Sequence, residues 1–156
     1  MRDKRYVYYD DVEVGTVVAT GSLNVAREDM VAFARAYDPQ PMHLDEAAAR
    51  LTPFKTLVGS GWHCLCLTMR LVVEAKPLGK TPLIGTEITE VRIPKPLLPA
   101  TQLRAEFEVL AKRPSSKPGR GYLQVAVTTY DQDNNVVLSQ RWTLVVPTRS
   151  GEEQQP

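Results

Sequence analysis

The sequence predicts an α+β domain in which an antiparallel β-sheet wraps around one long central helix. The first observation is the run WHCLCLTMRLVVEAK at 62–76, which is apolar on most sides and is typical of a buried helix. The second is that apolar residues recur at helical spacing before this run. The third is that four segments after it are rich in β-branched residues and partly alternate between apolar and polar side chains.

The first half of the chain begins with a strand and continues with a helix. The segment 12–25 is rich in valine and threonine and predicts one or two short strands, with a turn or bulge near Gly15 or Gly21. The next segment, AREDMVAFARAYD, carries an apolar stripe at helical spacing. This helix has to end before Pro39, because a residue that precedes proline avoids the α region. Asp38 therefore stands at or just past the helix end.

Two later helices have recognisable starts. Asp45 is placed to cap a short helix over EAAARL, and Ser60 is placed to cap the long apolar helix. Gly61 falls in the first turn of that long helix. Pro77 closes it, since proline cannot continue a helix.

Four strands are expected after this helix, in the segments LIGTEITEVRIP, TQLRAEFEVLAKR, GYLQVAVTTYDQ and NVVLSQRWTLVVP. DQDNNV predicts a hairpin turn between the last two, and RPSSKPGRG predicts a longer basic turn between the second and third. We expect one domain over residues 1–148 and a polar, frayed tail over 149–156. A single sheet leaves part of the helix and one sheet edge uncovered, so we also expect a homodimer, or a higher assembly of dimers.

Composition and charge exclude several classes of function. With 43% hydrophobic and 24% charged residues the chain has an ordinary globular balance, and its net charge of +1 does not favour nucleic acid or an anionic membrane as a partner. No apolar run reaches the ~18 residues of a membrane span, and the N-terminal stretch lacks the apolar core of a secretory signal. Cys64 and Cys66 are two residues apart on a predicted helix and point to different faces, so we expect free thiols and a cytoplasmic protein.

The segment DPQPMHLD is the first candidate for chemistry. Asp38 and His43 lie five positions apart across two prolines that restrict the backbone. A carboxylate and an imidazole that share one water can activate it, because the imidazole titrates near neutral pH. The alternative from spacing alone is that Asp38 caps a turn and His43 is an ordinary surface histidine. Metal ligation by these two residues with His63 would need distant segments to converge, so we expect no metal site.

The segment LVGSGWH is the second candidate. Its glycines allow a ligand or another backbone to approach closely, and the amides at a helix start have no partners within the helix. Such amides are suited to stabilise an oxyanion. The alternative is a helix cap whose glycines serve packing alone.

The order of these parts resembles the MaoC-type dehydratases, the family of (R)-specific enoyl-CoA hydratases, from about Tyr9 to Val146. DPQPMHLD is similar to the family's signature of an acid, a step with proline, and a histidine. The resemblance implies a hot-dog fold and a dimer whose two sheets join. It also implies that Asp38 and His43 hold and activate the water, and that the amide of Gly61 polarises the thioester carbonyl.

The resemblance implies reversible addition of water to a trans-2-enoyl-CoA, giving an (R)-3-hydroxyacyl-CoA. Coenzyme A is then part of the substrate, and no separate cofactor is expected. The alternatives are a hot-dog acyl-CoA thioesterase and a non-catalytic acyl-binding subunit. Thioesterases of this fold usually carry a different acid on the central helix, where this chain has only Glu74, near the helix end.

Several residues depart from the family's pattern or extend the expected site. Ser60 stands where the family has histidine, Pro99-Ala100-Thr101 stands where it has Pro-Gly-Asp, and Met69 lies near a serine of some hydratases. Around Gly61 we expect substrate contacts from Ser60, Trp62 and His63. We also expect the basic cluster of Lys112, Arg113, Lys117 and Arg120 to contact coenzyme A phosphates, the alternative being a solvated loop.

Overall fold

The structure is a computed structural model that describes residues 5–152. A 3₁₀ turn at Tyr9–Asp11 precedes the main elements. These are, in chain order, β1 (Val17–Asn24), α1 (Arg27–Tyr37), α2 (Pro41–Leu44), α3 (Glu46–Ala49), α4 (Gly61–Ala75), β2 (Ile84–Arg92), β3 (Gln102–Pro114), β4 (Arg120–Tyr130), β5 (Val136–Pro147) and α5 (Arg149–Glu152).

The five strands form one sheet in the order β1-β3-β4-β5-β2, and every neighbouring pair is antiparallel. The strands β1 and β2 are therefore the two edges. The helix α4 packs against β1 and β3. This arrangement of a long helix within an antiparallel sheet is the hot-dog fold, and it confirms the predicted α+β class.

The core forms because one face of each central strand is apolar. Phe107 on β3 and Val125 on β4 are almost fully buried, while their immediate neighbours along each strand are more exposed. The alternation predicted for these strands is confirmed. The hydroxyls of Thr68 on α4 and Thr129 on β4 are 2.7 Å apart, and this buried hydrogen bond joins the helix to the sheet. The inward-facing residues of the three central strands are Leu103, Ala105, Phe107, Val109, Leu123, Val125, Val127, Thr129, Leu138, Gln140, Trp142, Leu144 and Val146.

The helix α4 begins at its predicted cap and is buried on one side only. The side chain of Ser60 accepts a hydrogen bond from the backbone N–H of Trp62, and the helix ends where Lys76 takes a left-handed conformation. The opposite side, with Trp62, Met69 and Val73, is exposed. This agrees with the expectation that a single sheet leaves part of the helix uncovered. Its buried residues are His63, Cys64, Thr68, Leu71, Val72 and Ala75.

The first half also follows the predicted order. A register shift between Ala19 and Ser22 in β1 provides the bulge expected near Gly21. The side chain of Asp45 accepts a hydrogen bond from the N–H of Ala48, as expected for the cap of α3. The turn between β4 and β5 is confirmed at DQDNNV, where the N–H of Asp131 donates to the carbonyl of Asn135.

Three local features differ from the sequence-based expectation or extend it. The loop after α1 contains the short helix α2, which begins at Pro41. The tail begins with α5, and Arg149 donates its backbone N–H to Asp10 and its guanidinium to Asp11. Ala100, where the family has glycine, has a φ of 62°, a left-handed conformation that glycine adopts more readily.

We expect Phe107→Ala to lower the free energy of unfolding by about 3–5 kcal/mol, because it leaves a cavity in the centre of the core. Urea denaturation at one fixed protein concentration measures this change. The matched control is Val17→Ala on the edge strand β1, where the side chain is 55% exposed and the change should stay within about 0.5 kcal/mol. Equal effects at the two positions would contradict the assignment of the core.

Candidate active site

The loop between α1 and α3 brings Asp38 and His43 together. The N–H of Asp38 still donates to Ala34, the last bond of α1, and the N–H of Gln40 then donates to the carbonyl of Asp38 at 2.8 Å. Pro41 opens α2, whose single turn carries His43 back over Asp38. The prolines and these backbone hydrogen bonds therefore bring the side chains of Asp38 and His43 close together, although the two residues lie five positions apart.

His43 is held in one orientation by the backbone. Its side chain is nearly buried, and Nδ1 lies 2.7 Å from the carbonyl oxygen of Val58. Because a carbonyl only accepts, Nδ1 carries the proton, and Nε2 of the neutral ring is left with a lone pair. Nε2 lies 3.4 Å from Oδ2 of Asp38. Two acceptors thus face each other, which is an arrangement suited to a shared proton donor such as water.

Two side chains hold the carboxylate of Asp38. Ser60 Oγ donates to Oδ2 at 2.6 Å, and Gln40 Nε2 donates to Oδ1 at 2.7 Å. The hydrogen bond from Ser60, followed by the one from Gln40, lowers the pKa of Asp38 below its usual value. Asp38 is therefore ionised at neutral pH and acts as an acceptor.

A cavity of about 740 Å³ opens beside this pair. Its polar end is formed by Asp38, Gln40 and His43, and nearly all of the remaining wall is apolar. The thiol of Cys64 also lines it, and burial raises the pKa of this thiol to about 12, so Cys64 stays protonated and is a poor nucleophile. The other lining residues are Met42, Phe54, Val58, Gly59, Gly61, Trp62, Leu65, Ile88, Val91, Ile93, Pro94, Pro96 and Leu97.

Gly61 lies on the cavity wall at the first position of α4. Its N–H has no hydrogen-bond acceptor among residues 5–152, so this amide is available to a ligand. A Cβ at Gly61 would lie 2.5 Å from Cδ1 of Ile93, and one at Gly59 would lie 2.8 Å from Cδ2 of Leu97. A side chain at Gly59 would therefore displace the buried Leu97, whereas one at Gly61 would have to move only the end of the Ile93 side chain.

Two of the residues expected to contact substrate near Gly61 do not reach the cavity, which corrects the sequence-based expectation. Ser60 is fully buried, and its hydroxyl is bonded to Asp38. His63 stacks on Phe33 of α1 with ring centroids 4.6 Å apart, because the helical turn directs it away from the cavity. Trp62 does line the cavity, and its side chain is 67% exposed at the rim.

The basic cluster is divided between strands and turn, and none of its four residues lines the cavity of this chain. Lys112 belongs to β3, where its ammonium donates to the carbonyls of Tyr9 and Val12 at 2.7 and 2.9 Å. Arg113, also on β3, stacks over the ring of Tyr122. The ammonium of Lys112 is thus committed within the protein, which corrects its expected role.

Lys117 lies in the turn and Arg120 begins β4, both with exposed side chains. Phosphate binding by Arg113, Lys117 and Arg120 stays a prediction. Met69, near the family's serine position, lies on the exposed side of α4 and outside the cavity lining.

Within residues 5–152, no group of three or more histidine, cysteine, aspartate or glutamate side chains is placed to hold a metal ion. In the same part of the chain, no helix is long and apolar enough to cross a membrane.

Sequence reasoning did not identify Gln40 or the cavity wall formed by the segment after β2. The wall comes from Ile93, Pro94, Pro96 and Leu97. The available signal was the run IPKPLLP, in which prolines interrupt apolar residues that fit neither strand alternation nor helical spacing.

The family model described as MaoC like domain matches residues 11–131, well over half of the chain. The chain belongs to the MaoC-like domain family. It is similar to the uncharacterized protein YdeM of Bacillus subtilis (strain 168), with 35% identity over 123 residues that cover 79% of this chain and 86% of YdeM.

Two solved structures extend this comparison. The MaoC-like dehydratase from Rhodospirillum rubrum has a TM-score of 0.86 and 36% identity, over 92% of this chain and 98% of that one. The unliganded R-hydratase PhaJ1 from Pseudomonas aeruginosa has a TM-score of 0.74 and 26% identity, over 92% and 88% of the two chains. Membership of the MaoC-like family confirms the resemblance that the sequence indicated.

We expect this MaoC-like protein to lose stability as pH falls below about 6.5, in part because of His63. Burial lowers the pKa of His63 from its ordinary value of 6.5. The unfolded chain then binds a proton at this residue at a higher pH than the folded chain does, so acid favours unfolding.

Urea denaturation at about pH 7.5 and at about pH 5 tests this linkage in wild-type protein and in His63→Leu. The free energy of unfolding should fall less in the variant over this interval. An equal loss in both proteins would show that His63 does not resist protonation.

Proposed function

We propose that this protein catalyses the reversible addition of water to a trans-2-enoyl-CoA, giving an (R)-3-hydroxyacyl-CoA. The observation that carries the proposal is the pairing of ionised Asp38 with Nε2 of His43, 3.4 Å apart, at the polar end of an apolar cavity. Similarity to a MaoC-like dehydratase and to an R-hydratase supports the same reaction class.

The geometry suggests the following roles for Asp38, His43 and Gly61. A water placed between Asp38 and His43 donates hydrogen bonds to Oδ2 and Nε2, which orient its oxygen towards the substrate. As this oxygen bonds to C3 of the enoyl group, the proton passes to Nε2, and the neighbouring carboxylate stabilises the imidazolium. The negative charge that develops on the thioester oxygen is stabilised by the N–H of Gly61 at the start of α4, and C2 then takes the proton from Nε2, which returns His43 to its neutral form.

The apolar wall of the cavity is suited to the acyl chain, and coenzyme A is proposed as the carrier portion of the substrate and not as a separate cofactor. The (R) configuration and the carrier rest on the resemblance to the family. The basic side chains of Arg113, Lys117 and Arg120 remain candidates for its phosphates. A cytoplasmic location likewise remains an expectation from the two cysteines.

The thioesterase alternative has less support. Glu74, the only acid on α4, forms an exposed ion pair with Arg70 at 2.9 Å and is absent from the cavity lining. No acid of the central helix is therefore placed to attack or activate a nucleophile at a thioester in this cavity.

We further propose that two copies associate through the edge strand β2. All nine of its residues are exposed, including Ile84 and Ile88, and its outer edge lacks a partner strand within residues 5–152. An exposed edge strand of this length, with unpaired backbone groups along its outer side, can pair with another chain. The exposed side of α4 adds further apolar surface. A two-fold pairing of the β2 edges joins the two sheets.

We expect His43→Ala and Asp38→Asn each to lower hydratase turnover by roughly 10²–10⁴-fold, because each removes one member of the pair that handles the proton. The double variant should lose much less than the product of the two single losses, since the residues act as a unit. The measurement is loss of the conjugated-thioester absorbance over a panel of enoyl-CoA substrates of different length.

The matched control is His63→Leu, which changes the other histidine of the chain outside the cavity and should keep turnover near wild type. A thiol reagent in the same assay detects hydrolysis. Release of free thiol by wild-type protein, at the same rate in His43→Ala, would contradict both the hydratase reaction and the site. Wild-type protein that turns over no enoyl thioester would favour a non-catalytic binding subunit.

We expect wild-type protein to sediment as a dimer at micromolar concentration and Ile84→Lys to shift the equilibrium towards monomer, because a charge on the β2 edge is costly to bury. The control is Val17→Lys on the opposite edge strand, where the side chain is similarly exposed at 55% against 51% for Ile84. Sedimentation velocity measures both. A folded wild-type monomer would contradict the proposal, and so would dissociation by Val17→Lys alone.

A further inference from the structure

We propose that Ser60 is a positioning residue for the proposed hydration: its hydroxyl fixes the carboxylate oxygen of Asp38 that faces His43 and connects this oxygen to the start of α4. The inference rests on the proposed function. It assigns Ser60 a role that differs from the substrate contact expected from the sequence, at a position where the family's pattern has histidine.

The direction of the Ser60 hydrogen bonds is fixed by its partners. The side chain is fully buried, its Oγ lies 2.6 Å from Oδ2 of Asp38, and it accepts from the backbone N–H of Trp62 at 3.3 Å. An ionised carboxylate only accepts and a backbone N–H only donates. The single hydroxyl proton of Ser60 therefore points to Asp38.

The oxygen that Ser60 holds is the reactive one in the proposed mechanism. Oδ2 is the oxygen that lies 3.4 Å from Nε2 of His43, whereas Oδ1 is held by Gln40, whose side chain lies in a more exposed position. A donor fixed in the buried start of a fifteen-residue helix restrains Oδ2 more strongly than a flexible side chain does. Ser60 thus sets the direction from which water can bind between Oδ2 and His43.

One short segment positions both members of the pair. The carbonyl of Val58 holds Nδ1 of His43, and the hydroxyl of Ser60, two residues later, holds Asp38. The segment is itself anchored, because the N–H of Val58 donates to Met42 at 3.0 Å and the N–H of Gly59 donates to Leu97 at 2.7 Å. The relative placement of carboxylate and imidazole therefore follows from the fixed geometry of residues 58–60.

The hydrogen bond from Ser60 to Oδ2 also stabilises the ionised form of Asp38. The bond from the Trp62 N–H polarises the Ser60 hydroxyl, so that the positive end of the α4 dipole reaches the carboxylate through one relay. Among residues 5–152, the titratable group that also acts on Asp38 is His43, while Gln40 is neutral. Removing the hydroxyl leaves Oδ2 with one donor fewer, and this raises the affinity of Asp38 for a proton.

The competing explanation is that Ser60 serves only as the cap of α4, and a set of variants separates the two roles. Ser60→Gly removes the hydroxyl but leaves a residue that is well tolerated at a helix N-cap, and Ser60→Ala removes both functions. Ser60→Thr keeps the donor. The control is Thr68→Ala, which loses the other buried hydroxyl hydrogen bond of α4, to Thr129, without touching Asp38.

Two readouts are measured on the full chain: steady-state kinetics with the best enoyl-CoA of the panel, and the titration of the Asp38 carboxyl by ¹³C NMR of aspartate-labelled protein. We expect Ser60→Gly and Ser60→Ala to lower kcat by roughly 10- to 100-fold with little change in KM, the effect of losing a hydrogen bond to a charged group. The Asp38 titration should move to higher pH. Ser60→Thr should preserve both quantities, and Thr68→Ala should leave both unchanged.

The NMR readout keeps this inference separate from the proposed function. If wild-type protein hydrates no enoyl thioester, the hydration proposal fails, but an upward shift of the Asp38 titration in Ser60→Gly still supports the coupling of Ser60 to Asp38. If Ser60→Gly retains wild-type kcat and the wild-type Asp38 titration, the inference is overturned and Ser60 is only a helix cap. The result for Ser60→Gly decides between the two roles of Ser60 even if Ser60→Thr does not fold.

Discussion

Burial of one side of α4 against the sheet fixes the start of that helix, and the candidate site is built around this start. Apolar residues of α4 belong to the same core cluster as the inward-facing residues of the central strands. Because the helix cannot shift without opening the core, Ser60 and Gly61 present a hydroxyl proton and an amide proton at defined places. The hydroxyl of Ser60 in turn holds the carboxylate of Asp38.

The electrostatic character of the site follows from hydrogen bonds to backbone and helix start. His43 is directed by the carbonyl of Val58, which leaves its lone pair facing the carboxylate of Asp38. Asp38 is kept ionised by Ser60 and Gln40, so its carboxylate repels the lone pair of Nε2 whenever the His43 ring is neutral. A water that donates to both relieves this repulsion, which gives a physical reason for an Asp–His pair to bind and orient one.

The apolar wall and the exposed edge involve the same part of the chain. Ile88 and Val91 of β2, with the proline-containing segment that follows, line the cavity. The same strand is exposed along its whole length at the edge of the sheet. Pairing of β2 with a second copy would therefore support the cavity wall from outside, so substrate binding and assembly are physically linked in the proposed dimer.

The sequence by itself determined the fold class and most of the elements, and it marked Asp38 and His43 as candidates. Alternation predicted β3 and β4, Ser60 and Asp45 predicted helix starts, and DPQPMHLD indicated Asp38 and His43. These signals are local, because they arise from side-chain periodicity, proline stereochemistry and capping within a few residues. Signals of this kind can be recognised in a few neighbouring residues, without knowledge of how the rest of the chain folds.

Only the tertiary structure decided which side chains act on this pair. Ser60 lies 22 positions from Asp38 and Val58 lies 15 from His43, and no local pattern predicts those hydrogen bonds. His63 and Lys112 were both expected to contact the substrate. In the structure His63 stacks on Phe33. The ammonium of Lys112 donates hydrogen bonds to the carbonyls of Tyr9 and Val12. The physical reason is that a side chain's partners depend on how distant elements pack, and a single sequence specifies that packing only through the whole fold.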